Sequence, residues 1–517
     1  MAKYKKCDYN QTVLLPLSLS DQLHPGTLEF YINLIVEEKI DLSVFDTKYT
    51  NDDAGSPAYD PKILLKIILL AYSRGLTSSR RIERACMENV IFMSLACGMA
   101  PDHSTLAHFL ADMKKEIVCI FRDVLLYCED QNLLGGTHFS LDGCKLPSNA
   151  SKEWSGTFKD LKHKQKKLEK KVRKLIHEHE NHDRQTNALQ LNKRKNQTQR
   201  INQQIRRIDT FLKENHPKHG KTKKEIQSNI TDNESAKMPT SHGVIQGYNA
   251  QALVDDKHQI IVHAEAMSNG QDHDNLPPVL DGAKENMKAI GKGNDYFSGK
   301  ELSADANYHS STNLQKCEEE RIDAYIPDTG FRKRDERFKE QDRFKDGVNK
   351  PAKKKAYSPK REIYSWEEFQ YDRETGKYKC PTGKYLNQQS LKYKVGNKYY
   401  KYYRAREADC RECPLRSKCL SRKNVKARAL LIPLVYIEKK EKQYSLSQKM
   451  KEKIDSEKGK AKYSKRLATV EPVFANIRSQ KRLDRFTYRG KVKVNIQWML
   501  YCMVHNIEKI MNYGLTG

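Results

Sequence analysis

The apolar, periodic sequence of this 517-residue chain comes in separated blocks, with two long stretches rich in basic residues between them. Helical apolar patterning runs from Pro61 to about Cys128. Strand-like runs lie at 138–146 and across 243–326, and helical patterning returns from Glu471 to Ile510. Between these blocks, residues 152–226 hold 22 Lys+Arg against 9 Asp+Glu, and residues 328–465 are rich in Lys, Arg and Tyr. A single core can form only if segments far apart in the chain come together while the basic stretches project from them. Apolar residues make up 38% and charged residues 31%, so much of the chain is surface rather than core. The length allows about three domains.

In the first block, Ile63, Leu64, Ile67, Ile68 and Ala71 form one helical face that ends at Ser73-Arg-Gly. A second helix is expected from Ser78 through Arg81, Ile82, Ala85 and Cys86. Asp102-His-Ser-Thr offers capping oxygens for a third, with Leu106, Phe109, Leu110 and Met113 inside. Such short helices suit a helix-turn-helix DNA reader and equally an ordinary helical bundle. His138 to Leu146 then reads as a strand with Asp142 near its end, although Asp-Gly is also a favoured hairpin turn.

Within 152–226, one helical stripe is Leu161, Leu168, Val172 and Leu175, and another is Ile201, Ile205, Ile208 and Leu212. These predict an antiparallel helical hairpin whose basic faces either lie along DNA or are simply solvated. His177, His179 and His182 fit a hydrated turn better than a metal site. Beyond the hairpin, Gly243–Val254 and Gln259–Ala264 predict a β-hairpin, Gln271-Asp-His-Asp caps a helix through Leu276 and Leu280, and a short strand delivers Asp305. Asp323-Ala-Tyr-Ile is one more strand. Strand, insert, two strands, helix, strand, strand is the order of an RNase H-like mixed sheet with something spliced into it. In the second basic stretch, residues 368–380 and 391–400 alternate about Thr375-Gly376 and Gly396-Asn397 turns. Cationic and aromatic side chains in alternation suit phosphates and bases, or any half-exposed antiparallel sheet.

Three acids sit at positions that matter for chemistry: Asp142 in Phe139-Ser-Leu-Asp-Gly, Asp305 in Leu302-Ser-Ala-Asp-Ala-Asn, and Glu471 in Thr469-Val-Glu-Pro-Val-Phe. Carboxylates are the ligands that hard divalent ions such as Mg²⁺ (or Mn²⁺) prefer. Two such ions roughly 4 Å apart can activate one oxygen and stabilise another on phosphorus. With 94 Lys+Arg against 66 Asp+Glu, a formal charge of +28 and a pI near 9.4, that phosphorus is expected to belong to nucleic acid. Glu471 is expected to open a helix, with Thr469 as its N-cap and Pro472 in its first turn. Ala475 and Arg478 share its face, and Arg466, Lys481, Arg482, Arg485 and Arg489 thicken the DNA-facing basic surface.

Taken together, these residues resemble the DDE transposases of bacterial insertion sequences. The likeness runs from Pro61-Lys-Ile-Leu-Leu-Lys-Ile-Ile-Leu-Leu-Ala-Tyr-Ser-Arg-Gly and Pro101-Asp-His-Ser-Thr-Leu-Ala-His-Phe through Gly247-Tyr-Asn-Ala-Gln and Ser303-Ala-Asp-Ala-Asn-Tyr. It ends in Glu471-Pro-Val-Phe-Ala-Asn-Ile-Arg and His505-Asn-Ile. The resemblance implies cut-and-paste transposition with Mg²⁺ held by Asp142, Asp305 and Glu471, binding of double-stranded DNA at terminal inverted repeats and at a target, and a homodimer on the paired ends. One subgroup carries Tyr-x₂-Arg-x₃-Glu-x₆-Lys. Here Tyr463 and Arg466 fit its start, but four residues separate Arg466 from Glu471, and Arg478 stands for the Lys. That departure leaves the roles of Tyr463 and Arg466, and a hairpin route for the second strand, open. A DNA-binding descendant without turnover and an RNase H-like nuclease without strand transfer are the alternatives.

Cys380, Cys410, Cys413 and Cys419 form a second motif, Cys-x₂-Cys-x₅-Cys plus a distant thiol, able to complete a tetrahedral Zn²⁺ site or to stay as reduced cysteines. Twelve cysteines in a chain of this length do not suggest a disulfide scaffold. No stretch reaches the roughly 18–20 apolar residues of a membrane span, and no apolar signal-peptide region follows the first residues, so a cytoplasmic location at the nucleoid is expected. The domain layout expected is α/β. It comprises a helical DNA-binding or dimerisation region (1–130), an RNase H-like core from 131–151 and 227–327 completed by 466–517, a basic helical hairpin (152–226) and a Cys-containing β-rich insert (328–465).

Overall fold

The structure, a computed structural model, describes residues 18–48, 57–182, 188–220, 223–241, 243–339, 363–365, 368–372, 374–395, 398–420, 424–433 and 438–514. Two compact units divide the chain: Met1–Pro327 with Glu457–Gly517, and Asp328–Ser456.

The first unit begins with six helices: α1 (Leu28–Glu38), α2 (Pro61–Ser73), α3 (Ser79–Glu88), α4 (Val90–Leu95), α5 (His103–Asp112) and α6 (Glu116–Asp130). Their starts follow local chemistry. Asp60 accepts the Lys62 N–H ahead of Pro61, and Asp102 accepts the N–H groups of Ser104 and Thr105. Every residue from Ile63 to Tyr72 is buried, because α2 packs against α1 on one side and against the C-terminal helix on another.

A six-stranded sheet follows: β1 (His138–Pro147), β2 (Ala236–Thr240), β3 (Gly243–Asp255), β4 (Ile261–Met267), β5 (Glu301–Ala304) and β6 (Asp323–Tyr325). The order is β6-β5-β1-β3-β2, with β4 also on β3. The long β3 pairs antiparallel with β1 from Phe139↔Asp255 to Pro147↔Gly247, with β2 through its first residues, and with β4 through its later ones. On the other side of β1, β5 and then β6 run parallel. The β1/β5 register is held by side chains: His138 Nδ1 to Glu301 Oε2 at 3.0 Å, His138 Nε2 to Ser303 Oγ at 3.0 Å and Ser140 Oγ to Ser303 Oγ at 2.8 Å.

Between β1 and β2, α7 (Phe158–His182) and α8 (Ala188–Glu214) lie side by side. Leu161, Ile208 and Phe211 form a small core with Trp154, Phe158 and Leu168 packed on it. The connection 183–187 lies outside the described residues, as do the side chains of His179 and His182. Helix α9 (Leu276–Ala289) packs on β3 and β4. Its N-cap residue is Asn275 and makes no side-chain cap bond. The Gln271-Asp-His-Asp segment instead forms a separate short turn, because Asp272 is engaged by the sheet.

Two C-terminal helices, α10 (Glu457–Ala475) and α11 (Lys491–Tyr513), complete the unit. Helix α10 crosses β1, β5, β6 and β3, and a π-turn, Asn476–Gln480, follows it. The expected helix start at Thr469 is corrected here. Thr469 Oγ1 bonds back to the Lys465 carbonyl at 3.0 Å, and Pro472 lies inside α10. A proline in that position leaves the carbonyl four residues earlier without its helical donor. Gln259 Nε2 supplies the missing donor to the Ala468 carbonyl, at 2.9 Å.

The second unit contains an antiparallel five-stranded sheet, Gln370–Asp372, Lys377–Lys379, Tyr385–Val395, Lys398–Ala405 and Ala429–Pro433, in chain order. Phe369, Leu386, Tyr403, Ala405 and Leu430 are its core. The Thr375-Gly376 turn forms with Gly376 at φ 65; residues 396–397 are outside the described set.

Candidate active site

Parallel pairing ends at Leu141↔Ala304, so Asp305, the next residue, stands beside Asp142 on the neighbouring strand, at a spacing of about 4.8 Å between strands. Asp142 is not at the end of its strand. β1 continues to Pro147 because β3 keeps pairing with it after β5 stops. The hairpin alternative for Asp-Gly is excluded with it: Gly143 is a mid-strand residue, and a Cβ there would meet Gln251 Nε2 at 2.0 Å.

Helix α10 sets two cations, one turn apart, on the two strands. Lys462 Nζ reaches Glu301 Oε1 at 2.6 Å on β5, and Arg466 Nη1 reaches Asp142 Oδ2 at 2.5 Å on β1. Asp142 also accepts the Gly143 N–H at 2.8 Å. Burial pushes the Asp142 carboxyl up to about 6. Arg466 and the Gly143 N–H pull against that shift, while the charge of Asp305 adds to it.

Glu471 lies on the exposed flank of α10. At 3.6 residues per turn, five residues rotate it by about 140° from Arg466, whereas a four-residue step would have put both on one face. The charges of Glu471, Asp142 and Arg478 all reach Cys144, two residues beyond Asp142 on the same face of β1. Burial raises this thiol to about 11, Arg478 opposes the rise, and Asp142 and Glu471 reinforce it. Sequence reasoning passed over Cys144; the period-2 alternation of β1 could have placed it on the Asp142 face. Among the described residues, no group of three or more His, Cys, Asp or Glu side chains is already arranged to hold a metal ion.

A buried polar network, also unread in the sequence, backs the acids. The Tyr308 hydroxyl, three residues after Asp305, donates to Gln251 Oε1. Gln251 Nε2 and Asn249 Nδ2 both donate to Asp272 Oδ1, at 3.2 and 2.6 Å. Gln251 and Asn249 belong to the Gly247-Tyr-Asn-Ala-Gln run, so that motif serves the network beneath the acids.

The basic residues divide. Arg478, Arg482 and Arg485 are exposed, and Arg485 Nη2 is steadied by the Ser148 carbonyl at 3.0 Å. Lys481 is placed differently from the expected DNA-facing surface. It is 1% exposed, with Nζ bound to Glu508 Oε2 at 2.5 Å and to Asn476 Oδ1. The π-turn rotates it inward. Arg466 is likewise buried, on Asp142 rather than at the surface.

In the second unit, Cys380, Cys410, Cys413 and Cys419 line one small cavity with Thr382, Asp409 and Arg428. Burial raises the Cys419 thiol; Arg428 opposes this, and Cys410, Cys413 and Cys380 add to it. Arg416 Nη1 holds the Cys410 carbonyl at 2.5 Å, and Arg428 Nη1 holds that of Cys419 at 2.7 Å.

Comparison with protein families gives two matches. Residues 379–511 match the Transposase DDE domain family. Residues 17–112 match a Transposase domain family (DUF772). The first range contains the four cysteines, Glu471 and Arg478, and the second covers α1 to α5; Asp142 and Asp305 lie outside both. No curated protein and no solved structure matches the chain.

Proposed function

The chain belongs to the DDE transposases of insertion sequences, with the RNase H-like fold of that domain, and from that premise we propose that it binds the terminal inverted repeats of its element and catalyses Mg²⁺-dependent strand cleavage and strand transfer. The observation carrying this reading is the β1/β5 register. It sets Asp142 beside Asp305, where the charges of Glu471 on α10 and of Arg478 on the π-turn reach the same face of β1.

The residues present fit a hard divalent ion. The donors are carboxylate oxygens, and two of them come from neighbouring positions on adjacent strands, close enough for the charge of Asp305 to act on Asp142. Asp142, Asp305 and Glu471 would hold Mg²⁺ (or Mn²⁺), which when bound polarises phosphoryl oxygens and lowers the pKa of an attacking water. The chain's own groups do the rest. Exposed Arg478, Arg482 and Arg485 grip backbone phosphates and hold the strand in line. The Tyr308–Gln251–Asp272 network keeps the end of β5, and with it Asp305, from shifting.

The lysine-rich hairpin α7–α8 lies along flanking DNA, and two copies of the chain act on paired ends. The reaction takes place in the cytoplasm at the nucleoid; among the described residues, no helix is long and apolar enough to cross a membrane. The four cysteines bind one structural Zn²⁺. Their shared cavity and the coupling of Cys419 to the other three thiols support this. Metal analysis of the purified chain is expected to give one zinc per chain, lost in Cys410→Ser; a zinc-free protein with four titratable thiols would refute it.

The deciding experiment is a supercoiled donor-plasmid assay with Mg²⁺ and cognate ends, comparing the wild type with Asp142→Asn and scoring end binding, cleavage and joining separately. Cleavage and joining are expected to disappear in the variant while binding stays. Cleavage without joining in the wild type would indicate a nuclease, and binding without cleavage an inactive DNA-binding descendant. Loss of binding together with cleavage in the variant would remove Asp142 from the metal assignment.

A further inference from the structure

Arg466 is 4% exposed, and its partners are the acids of the sheet. Nη1 bonds Asp142 Oδ2 at 2.5 Å, Asp305 follows the last residue paired in the β1/β5 register and so stands beside Asp142, and Cζ lies 5.9 Å from the centroid of the Tyr463 ring, one turn earlier. Nε is buried with no hydrogen-bond partner among the described residues. A buried guanidinium that leaves a donor unpaired is an expensive way to position a helix. Lys462 already ties α10 to β5 through Glu301. What Arg466 contributes beyond docking is a positive charge against two carboxylates on adjacent strands.

A guanidinium cannot shed its proton in a protein, and a second cation cannot take the same carboxylate oxygen without displacing it. The spacing within α10 fits this role. Arg466, Val470 and Val473 face inward, whereas Glu471 is rotated to the flank. Arg466 can therefore leave Asp142 by a side-chain motion that does not turn Glu471 away from the site.

We propose that Arg466 is the internal counter-cation of the acid pair: it neutralises Asp142 and Asp305 before a metal loads, and it must release the Asp142 carboxylate for a divalent ion to bind there. It is a positioning residue, and the proposal rests on reading Asp142 and Asp305 as the metal ligands. Binding of the metal is then an exchange of one cation for another, and its affinity is lowered by the work of moving the arginine.

The test uses the full chain without DNA. Mn²⁺ affinity is measured by electron paramagnetic resonance titration, and melting temperature in EDTA and in Mn²⁺, for the wild type, Arg466→Gln, Arg466→Lys and Asp142→Asn. Arg466→Gln is expected to bind Mn²⁺ at least fivefold tighter than the wild type. It should also melt lower in EDTA and recover more on Mn²⁺ addition than the wild type gains. Arg466→Lys, which keeps the charge but not the fork, is expected to bind at least twofold tighter, and it carries the test if the Gln variant does not fold. Unchanged or weaker Mn²⁺ affinity in the variants would overturn the proposal. So would an equal loss of melting temperature with and without Mn²⁺, the signature of a purely structural arginine. If Asp142→Asn leaves Mn²⁺ binding intact, the metal assignment itself fails and the proposal with it. That outcome differs from one in which Asp142→Asn abolishes binding and Arg466→Gln does not tighten it.

Discussion

Gln259 donates its side-chain amide to the Ala468 carbonyl at 2.9 Å, the acceptor that Pro472 leaves without a helical N–H. Gln259 is itself held by Lys509 Nζ at 2.8 Å through its side chain and by His505 Nε2 at 2.9 Å through its carbonyl. A single residue in the β3–β4 turn thus completes the helix that carries Glu471. Gln259→Ala is expected to cost about 0.5–1.5 kcal/mol, the usual net worth of a hydrogen bond whose acceptor water can reach once the partner is gone. Pro472→Ala restores the helical donor, so in that background the same change should cost much less. Urea unfolding of the four proteins in this cycle measures the coupling; additive losses would show that the two residues act independently.

Asn506 closes the free edge of the sheet. Its Oδ1 accepts the Ile261 N–H and its Nδ2 donates to the Ile261 carbonyl, both at 2.9 Å and both buried. The side chain behaves as one residue of an extra strand on β4, which protects an otherwise open edge. Asn506→Ala strands two buried main-chain groups and is expected to destabilise the fold by about 2–4 kcal/mol. Asn506→Asp keeps the acceptor but loses the donor, and it is expected to be at least as damaging. Chemical denaturation would check the order.

Acid should unfold the first unit through its histidines. Burial lowers the His263 imidazole to about 4 and the His505 imidazole to about 3. Both are depressed relative to the unfolded chain, near 6.5. Their neutral forms therefore favour the native state fully above pH 6.5. That contribution is lost progressively as pH falls from about 6.5 toward 4, where the unfolded state takes up protons that the native state refuses. His505→Gln is expected to flatten the decline in stability across this window, measured by thermal melts between pH 7 and 4.5.

Lys159, Lys167, Lys170 and Lys171 line one open face of α7. If that face lies on DNA, changing the four to Gln should reduce the slope of log affinity against log salt by up to about 3–4, since each neutralised phosphate contributes about 0.9. Cleavage geometry at the sheet should be unaffected. An unchanged slope in a filter-binding series would mean that the hairpin face is merely solvated.

The helices and strands of the core were legible because each is written in local periodicity: the buried run of α2, the alternation in β1, the β3–β4 hairpin. Asp142, Asp305 and Glu471 stood out in the sequence as carboxylates, the ligand type that a hard cation prefers. Adjacency was not. Asp142 and Asp305 meet through a register held by His138, Ser140, Glu301 and Ser303, a cooperative contact between strands that no single segment encodes. Helix winding decided that Arg466 points to Asp142 and Glu471 to the flank, and the π-turn buried Lys481 against Glu508. Pro472 shows the reason most plainly. Local rules end a helix at a proline because its neighbours cannot supply the missing donor, but a folded chain can bring that donor from 209 residues away.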